Sequence, residues 1–532
     1  MTREAGAATR VVAKPSALSG AAAGAASVVL GAGIGELVAA LVAPSSSPIS
    51  VVGGTLIDLA PPWAKDAAIS LFGTADKLAL LTGIAVVLLA VSAGVGILEL
   101  RRPWFGATVF AALGAVVAVL AMTRAGSTGL AWLPSLTAGL VAAAAVRLLT
   151  RLARATDASS SAPAEAGTAD APGDDEPSRR RFLVWAGAAA AAGVIAAIAG
   201  TALQAGSRTV TAVRQALRLP APAVSAPPVP AGAQLDLTGM TSVVTPNASF
   251  YRIDTALVVP QVDPATWSLR IHGLVENEIE IGWDELLALP LEESWTTLAC
   301  VSNPVGGDLI GNAKWLGYPI RHLLERARPT ADADMVLSRS IDGFTASTPL
   351  EVLQEETRNA ILAVGMNDEP LPAEHGFPVR MVVPGLYGYV SATKWVTELE
   401  VTRFDEATAY WTTRGWSAKG PIKLQSRIDL PRRGQGLSAG DTMIAGVAWQ
   451  QHVGIQKVEV QVDDGPWREA ALASAISDDT WVQWSIPWTA ERGSHAIRCR
   501  ATNANGERQT ETDAFPAPDG ATGWQQLNID VA

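Results

Sequence analysis

Apolar positions are spread unevenly along this chain. Up to about Ala205 the sequence is dominated by Ala, Gly, Val and Leu. Four long apolar runs lie there: Ala17 to Val42, Leu78 to Leu98, Phe105 to Met122 and Leu130 to Leu149. A fifth extends from Phe182 to about Leu203. Each is close to the ~20 residues an α-helix needs to cross ~30 Å of hydrocarbon. The pattern predicts five transmembrane helices, four over residues 1–154 and one over residues 178–204. The Leu-rich second run carries the strongest signal, and the Ala-rich first and fifth carry weaker ones.

From about Gln234 the pattern becomes that of a water-facing protein. SFYRIDTALVVP and WSLRIHGLV read as strands ended by Pro and Gly. IGWDELLAL reads as a short helix with Trp283, Leu286 and Leu287 on one face, and LGYPIRHLLERA as another with Ile320, Leu323 and Leu324 inward. HGFPVRMVVPGLYGY holds a buried strand between turn residues. These elements predict an α+β domain over residues 245–418. After about Lys419 the segments MIAGVAW, VEVQVDD, VQWSIPW and HAIRCRAT alternate strictly and are separated by turn signals. That spacing predicts an Ig-like β-sandwich over residues 419–532. Residues 155–177 are rich in Ala, Ser, Gly, Asp and Pro and read as a disordered linker. Residues 205–244 read as a Pro/Ala-rich stalk, with LPAPAVSAPPVPAGA (Leu219 to Ala233) as a semi-rigid spacer.

Charge adds direction. The net charge of −11 argues against a nucleic-acid partner, which needs a surplus of Lys and Arg. Arg3, Arg10 and Lys14 precede the first run, Arg101 and Arg102 separate the second and third, and Arg147, Arg151 and Arg154 close the fourth. Arg179, Arg180 and Arg181 open the fifth, whereas the alternate loops hold only Lys65, Lys77 and Arg124. The asymmetry predicts a multi-pass cell-membrane protein with a cytoplasmic N-terminus and all residues after Leu203 outside. SRRRFL (Ser178 to Leu183) resembles a twin-arginine export signal, a route for proteins already folded around a cofactor. No His precedes His272, which excludes a bis-histidine haem in the helical region. Glu36 lies inside the first run, where a carboxylate is costly, and it is given no role.

The chain has two cysteines. Cys300 lies in TTLACVSNPVGGDLIGNAKW, where an apolar run ends in a Gly- and Asn-rich segment able to present a thiolate to a metal. Cys499 alternates with Ile497 and Ala501 and reads as a core thiol. Their different domains argue against a disulfide between them.

Several separated motifs of the soluble half resemble the sulfite oxidase family of molybdenum enzymes. ASFYRIDTALVVP resembles that family's opening segment, and TLACVSN the segment bearing its metal-ligating cysteine. MNDEPLPAEHGFPVRMVVPGLYGYVSATKW is the most specific match, while IKLQSRIDLP and VEVQVDDG resemble parts of its C-terminal dimerisation domain. The resemblance implies a molybdenum–molybdopterin cofactor with one dithiolene, and Cys300 as the metal ligand. A thiolate suits molybdenum in high oxidation states. It further implies that Asn247, Tyr251, Arg252, His375, Arg380, Ser391 and Lys394 hold the cofactor, and that Arg252 also faces an anionic or polar substrate.

The departures from that family matter as much. Its arginine pair after the ligand cysteine is replaced here by Val301, Ser302, Asn303 and Pro304. A tyrosine near the metal falls close to Trp416, giving a less cationic and more aromatic pocket. The expected activity is two-electron oxygen-atom transfer on a small molecule: a sulfite-like compound, a sulfoxide or an N-oxide. No cytochrome module is attached, so a separate cytochrome or quinone-linked partner is expected to exchange electrons. The sandwich is a candidate homodimer interface. Two rival readings are a thiol hydrolase pairing Cys300 with His375, and a membrane binding protein without a cofactor.

Overall fold

A computed structural model describes residues 16–43, 46–60, 76–124, 127, 129–159, 176–205, 208–256 and 258–532. The expected linker over residues 155–177 lies mostly outside the described residues, as do Arg3, Arg10, Lys14 and Lys65. The chain divides into two compact units, Met1–Thr209 and Val210–Ala532.

The first unit is helical: α1 (Ala17–Val42), α2 (Pro48–Leu59), α3 (Asp76–Arg101), α4 (Phe105–Met122), α5 (Leu133–Ser159) and α6 (Glu176–Ala205). Five spans in it are long and apolar enough to cross a membrane: Ala17–Val42, Ala79–Arg101, Phe105–Met122, Leu133–Ala155 and Arg180–Leu203. The small residues that weaken the apolar signal make the packing possible. A Cβ on Gly33 would fall 1.9 Å from the Gly193 carbonyl oxygen, so α1 and α6 touch backbone to backbone.

Near the α3–α4 turn a buried polar cluster forms. The Glu99 carboxylate accepts from the Arg147 guanidinium at 2.6 Å and from the backbone N–H groups of Trp104 and Gly106 at 3.0 and 2.7 Å. Arg147 also lies over the Trp104 ring at 4.1 Å, and Arg154 donates to the Glu99 and Leu100 carbonyls. One carboxylate thus satisfies the first turn of α4 and ties α5 to it. Removing one member of a buried ion pair leaves the other uncompensated, at a cost of ~3–5 kcal/mol. Glu99→Ala is therefore expected to lower the unfolding midpoint of the helical unit in detergent and leave that of the Val210–Ala532 unit unchanged. Calorimetry checks both transitions.

In the second unit, which the end of α7 (Arg208–Ala216) opens, Arg214 donates to the Pro370 and Leu371 carbonyls at 3.0 and 2.8 Å. Then follow β1 (Ser268–Gly273), β2 (Ile279–Gly282), α8 (Trp283–Ala288), β3 (Glu292–Ala299), β4 (Ile310–Pro319), α9 (Ile320–Ala327), β5 (Met335–Ser340) and β6 (Thr345–Pro349). After them come α10 (Leu350–Gln354), β7 (Ile361–Met366), β8 (Glu369–Pro370), β9 (Arg380–Val382), α11 (Gly388–Ser391) and β10 (Val396–Thr402). One sheet runs β2-β1-β10-β5-β6, and the other β3-β4-β7-β8 with β9 also on β7. Every residue of β7 is buried, as a strand covered on both faces requires. Trp283 and Leu286 of α8, and Ile320, Leu323 and Leu324 of α9, point into the core as their spacing predicts.

The remaining strands are β11 (Gln425–Leu430), β12 (Gly440–Trp449), β13 (Ile455–Val462), β14 (Arg468–Leu472), β15 (Val482–Ala490), β16 (Gly493–Asn503) and β17 (Gln526–Val531). They form an antiparallel sandwich in the order β11-β12-β15-β14-β13-β16-β17, where β14 pairs with both β15 and β13. Cys499 is buried beside Ile497 and Ala501, and both cysteines are free thiols. Val447, Trp449 and Trp481 of the sandwich join the core of the α+β part, so the two share one apolar interior.

One expectation is corrected. SFYRIDTALVVP forms no strand among its described residues: it is a 3₁₀ turn at Asn247–Ser249 followed by irregular chain tied down by side-chain ion pairs. The Pro-rich segment expected as a semi-rigid spacer is extended and lies along β3. Ala223 donates to the Leu291 carbonyl at 2.7 Å, Glu293 donates to Val224 at 2.8 Å, and Trp295 donates to the Pro227 carbonyl at 2.8 Å. An extended Pro-rich chain has unpaired carbonyls to offer, and the β3 edge supplies donors for them.

Candidate functional site

Cys300 follows directly on β3, whose position is fixed from the sandwich side. Thr297 donates through its N–H to the Asp479 carbonyl at 3.0 Å, accepts at its hydroxyl from the Trp481 N–H at 2.9 Å, and accepts at its carbonyl from the Gln451 amide at 2.9 Å. The loop after Cys300 is closed at both ends. Cys300 N–H donates to the Leu309 carbonyl at 2.9 Å, and the Asn303 side chain accepts from Leu309 N–H at 2.9 Å. Gly306 has φ +74°, and a Cβ there would meet the Gln525 amide at 2.4 Å, so only glycine fits. Arg427 of β11 donates to the Gly307 carbonyl at 2.9 Å. Within this loop the Ser302 hydroxyl lies 2.9 Å from the Cys300 sulfur. Burial pushes the Cys300 thiol up, opposed by the Ser302 hydroxyl and by the backbone N–H groups of Ser302 and Val301.

The opening segment crosses next to it. Asn247 accepts at its carbonyl from His375 Nε2 at 3.2 Å and at its side chain from the Asn367 amide at 2.8 Å. Phe250 packs edge-on to Trp315 and His375, and Tyr251 stacks on Phe250 with ring centroids 5.3 Å apart. Burial raises the Tyr251 phenol well above its usual range, and the charge of Cys300 adds to this while Arg380 opposes it. A Cβ on Gly388 would lie 3.8 Å from the Ala299 carbonyl and 3.9 Å from the Tyr251 hydroxyl. Tyr251, Cys300 and the start of α11 therefore meet in one place.

The cations converge from the HGFPVR and ATKW segments. Gly376, at φ +112°, lets the Arg380 and Lys394 side chains pass where a Cβ would fall 3.0 and 3.1 Å from theirs. Arg380 is 5 % exposed. It donates to the carbonyls of His375, Met381 and Ala392 at 3.2 to 3.4 Å and lies over the Trp315 ring at 5.1 Å. It makes no ion pair to a carboxylate among the described residues, and burial holds its guanidinium down at about 10. Lys394 donates to Asp254 at 2.7 Å and to the Glu374 carbonyl at 3.1 Å. Burial lowers it to about 8 against the pull of Asp254. Asp254 also accepts from Arg252 at 2.9 Å, and the Arg252 side chain is 39 % exposed.

Burial, then the charges of Arg380 and Lys394, lower His375 to about 4. Its imidazole is neutral at pH 7, whereas an unfolded chain takes up a proton near 6.5. The stability this neutral group contributes is present above 6.5 and is lost as pH falls toward 4. The shift corresponds to about 3 kcal/mol. The urea midpoint of the metal-free protein should drop across that window, and His375→Gln should flatten the drop.

Not every expected residue faces this place. The Ser391 hydroxyl is fully buried and donates back to the Leu386 and Tyr387 carbonyls at 3.2 and 2.9 Å. Trp416 is half-buried and packs on Tyr389 and Trp411 with centroids 5.9 and 6.3 Å away. Sequence reasoning passed over Asp254, although it stands two residues from Arg252 and so on the same side of an extended chain. It also passed over Tyr387, a buried phenol raised to about 12 by burial, partly relieved by the Lys423 N–H and further raised by the Cys300 charge. Tyr387 lies within the PGLYGY stretch of the most specific motif, which marked the segment and not this side chain.

A buried guanidinium without a carboxylate among the described residues, a second desolvated cation, and a sulfur bonded to a hydroxyl form a site short of negative charge. Such a site fits a cofactor that brings an anionic phosphate and a metal for the sulfur. Residues 256–411 match the oxidoreductase molybdopterin binding domain. The chain is 28% identical over 321 residues to the mitochondrial sulfite oxidase of Rattus norvegicus, covering 51% of this chain and 58% of that one. It is 32% identical over 181 residues to the uncharacterized oxidoreductase YuiH of Bacillus subtilis, covering 33% of this chain and 87% of that one. It is 31% identical over 277 residues to the protein-methionine-sulfoxide reductase catalytic subunit MsrP of Burkholderia mallei, covering 48% and 79%. Fold and match together define the class of the second unit, which carries an oxidoreductase molybdopterin binding domain. The chain belongs to the sulfite oxidase family, and it spans a little over half the length of the mitochondrial sulfite oxidases it matches.

Proposed function

We propose that this protein is a membrane-anchored, extracytoplasmic enzyme that transfers oxygen to or from a small sulfur- or nitrogen-centred substrate. The observation that carries the reading is Arg380, a buried cation with no carboxylate partner among the described residues, set among the residues that surround the Cys300 sulfur. In this reading Cys300 ligates molybdenum, and Arg380 and Lys394 bind the anionic end of the pterin. Asn247, Tyr251 and His375 line the same cradle; neutral His375 gives its one N–H to the Asn247 carbonyl and keeps Nδ1 as an acceptor. Ser391 supports it from below, holding the α11 turn through its own carbonyl bonds. When bound, the cofactor supplies two-electron oxygen-atom transfer, and the protein supplies binding, orientation and charge.

Arg252 is the exposed cation at the site, and it is held by Asp254 rather than left to swing. It orients an anionic or dipolar oxygen of the substrate. The absence of arginine among the residues just after Cys300 favours a neutral sulfoxide or N-oxide over a dianion such as sulfite. The names of the relatives span both possibilities, one an oxidase of sulfite and one a reductase of a sulfoxide.

The Lys and Arg bias of alternate loops supports a cytoplasmic N-terminus with the enzyme part outside. The SRRRFL string supports export after cofactor loading. Electrons pass to or from a separate cytochrome or quinone-linked partner, and the sandwich is the candidate surface for a homodimer. Metal and pterin quantitation on the purified full chain tests the core of this reading. One molybdenum and one pterin per chain are expected. A pure, active protein without molybdenum overturns it and favours a thiol hydrolase, although His375 is bonded to the Asn247 carbonyl rather than to Cys300. Reduction of methionine sulfoxide or trimethylamine N-oxide with an artificial donor is then expected to outpace sulfite oxidation.

A further inference from the structure

The loop after Cys300 is built independently of the sulfur it carries. Backbone bonds, the Asn303 side chain and Arg427 from the sandwich hold it. The Ser302 hydroxyl takes no part in that framework. Its single side-chain hydrogen bond among the described residues is to the Cys300 sulfur, at 2.9 Å. In the free thiol either atom can be the donor. A sulfur bound to a metal has lost its proton, so then only the Ser302 O–H can donate.

We infer that Ser302 is a positioning residue whose hydroxyl donates to the metal-bound Cys300 sulfur and limits how strongly that sulfur donates charge to molybdenum. The inference rests on the reading that Cys300 is the metal ligand. A hydrogen bond to a thiolate draws electron density away from the metal, which is thereby easier to reduce. The hydroxyl belongs to a side chain outside the loop's framework, so a substitution can remove this bond and leave the backbone bonds in place. Ser302 stands in the stretch where the sequence departs from the arginine pattern of its family, so this loop offers the sulfur a neutral hydroxyl.

The test compares wild type, Ser302→Ala and Ser302→Thr as purified holoenzymes, with Cys300→Ser alongside. Molybdenum content, the reduction midpoint of the metal and the spectrum of its paramagnetic state are measured. Ser302→Ala is expected to load metal fully, to shift the midpoint to more negative potential and to change the spectrum. Its kcat should change several-fold with KM unaltered, and Ser302→Thr should restore all three values. A fully loaded Ser302→Ala protein with the wild-type midpoint and spectrum overturns the inference. So does an alanine variant that cannot load metal while the threonine variant can, since the hydroxyl then serves loading rather than tuning. If Cys300→Ser keeps the wild-type paramagnetic signal, the ligand reading itself has failed, an outcome distinct from either.

Discussion

Replacing Cys300 with Ser is expected to strip molybdenum from the purified protein and to reduce activity far beyond the ~10–100-fold that loss of a second-shell partner costs. The expectation follows from how little else depends on this side chain. The Cys300 backbone closes its loop by donating to Leu309, and the flanking turn is held by Asn303 and Arg427. The sulfur itself has one side-chain partner, Ser302. A serine hydroxyl is smaller and gives up its proton far less readily than a thiol, so it offers the metal no ready anion, yet it fits the same space without leaving a sizeable cavity. The metal-free variant should therefore unfold at the same midpoint as metal-free wild type. Cys499→Ser provides the contrast. That thiol is wholly buried, pushed up to about 12 by burial, and accepts a hydrogen bond from Ser426 at 3.3 Å. Its substitution should leave the metal in place and cost stability instead. Retention of both metal and activity in Cys300→Ser would sink the ligand assignment, and loss of metal separates it from the hydrolase reading, in which activity alone disappears.

What could be read from the chain, and what could not, divides by sequence distance. The five long helices follow from run length alone, because hydrocarbon thickness sets one length for all of them. The strands of the sandwich follow from alternation, and α9 from the spacing of Ile320, Leu323 and Leu324. The opening segment around Arg252 was misread as a strand because its order comes from afar. Lys394 pairs with Asp254 across 140 residues, and His375 bonds Asn247 across 128. The docking of Leu219 to Ala233 on β3 was invisible for the same reason: proline content marks an extended chain, not what that chain lies against. At the site, separated motifs indicated which residues belong together. They did not indicate that Trp481 bonds Thr297 from 184 residues away, nor that the sandwich fixes the Cys300 loop through Arg427. They also gave no sign that Arg380 is buried without a carboxylate, since a missing partner leaves no trace in a local pattern.

That missing partner sets up a second large effect, with different outcomes for the empty and the loaded protein. Arg380 is desolvated, bonded to three carbonyls, and lowered to about 10 by its burial. In the metal-free protein an uncompensated buried charge is a cost, and replacing such charges by apolar groups of similar volume is often neutral or stabilising by ~1–4 kcal/mol. Against this, Arg380→Met leaves carbonyls short of donors, at ~1–3 kcal/mol for an unmet buried group. The two terms nearly cancel, so the metal-free variant should melt within a few degrees of wild type. In the loaded protein the same change removes charge-assisted hydrogen bonds to an anionic cofactor, each worth ~1.5–3 kcal/mol. That corresponds to a roughly 10- to 100-fold weaker hold on the pterin, because ~1.4 kcal/mol is one decade in affinity. Cofactor retained through purification should fall accordingly, and with it the stabilisation that binding gives. Arg380→Lys keeps the charge but not the planar fork, and should fall between the two. Pterin content and calorimetry of both forms measure the difference. A large loss of stability in the metal-free Arg380→Met protein would mean that the guanidinium is a structural strut and that the anion site lies elsewhere. Unchanged pterin content would mean that Lys394 and the backbone donors are sufficient to hold the cofactor.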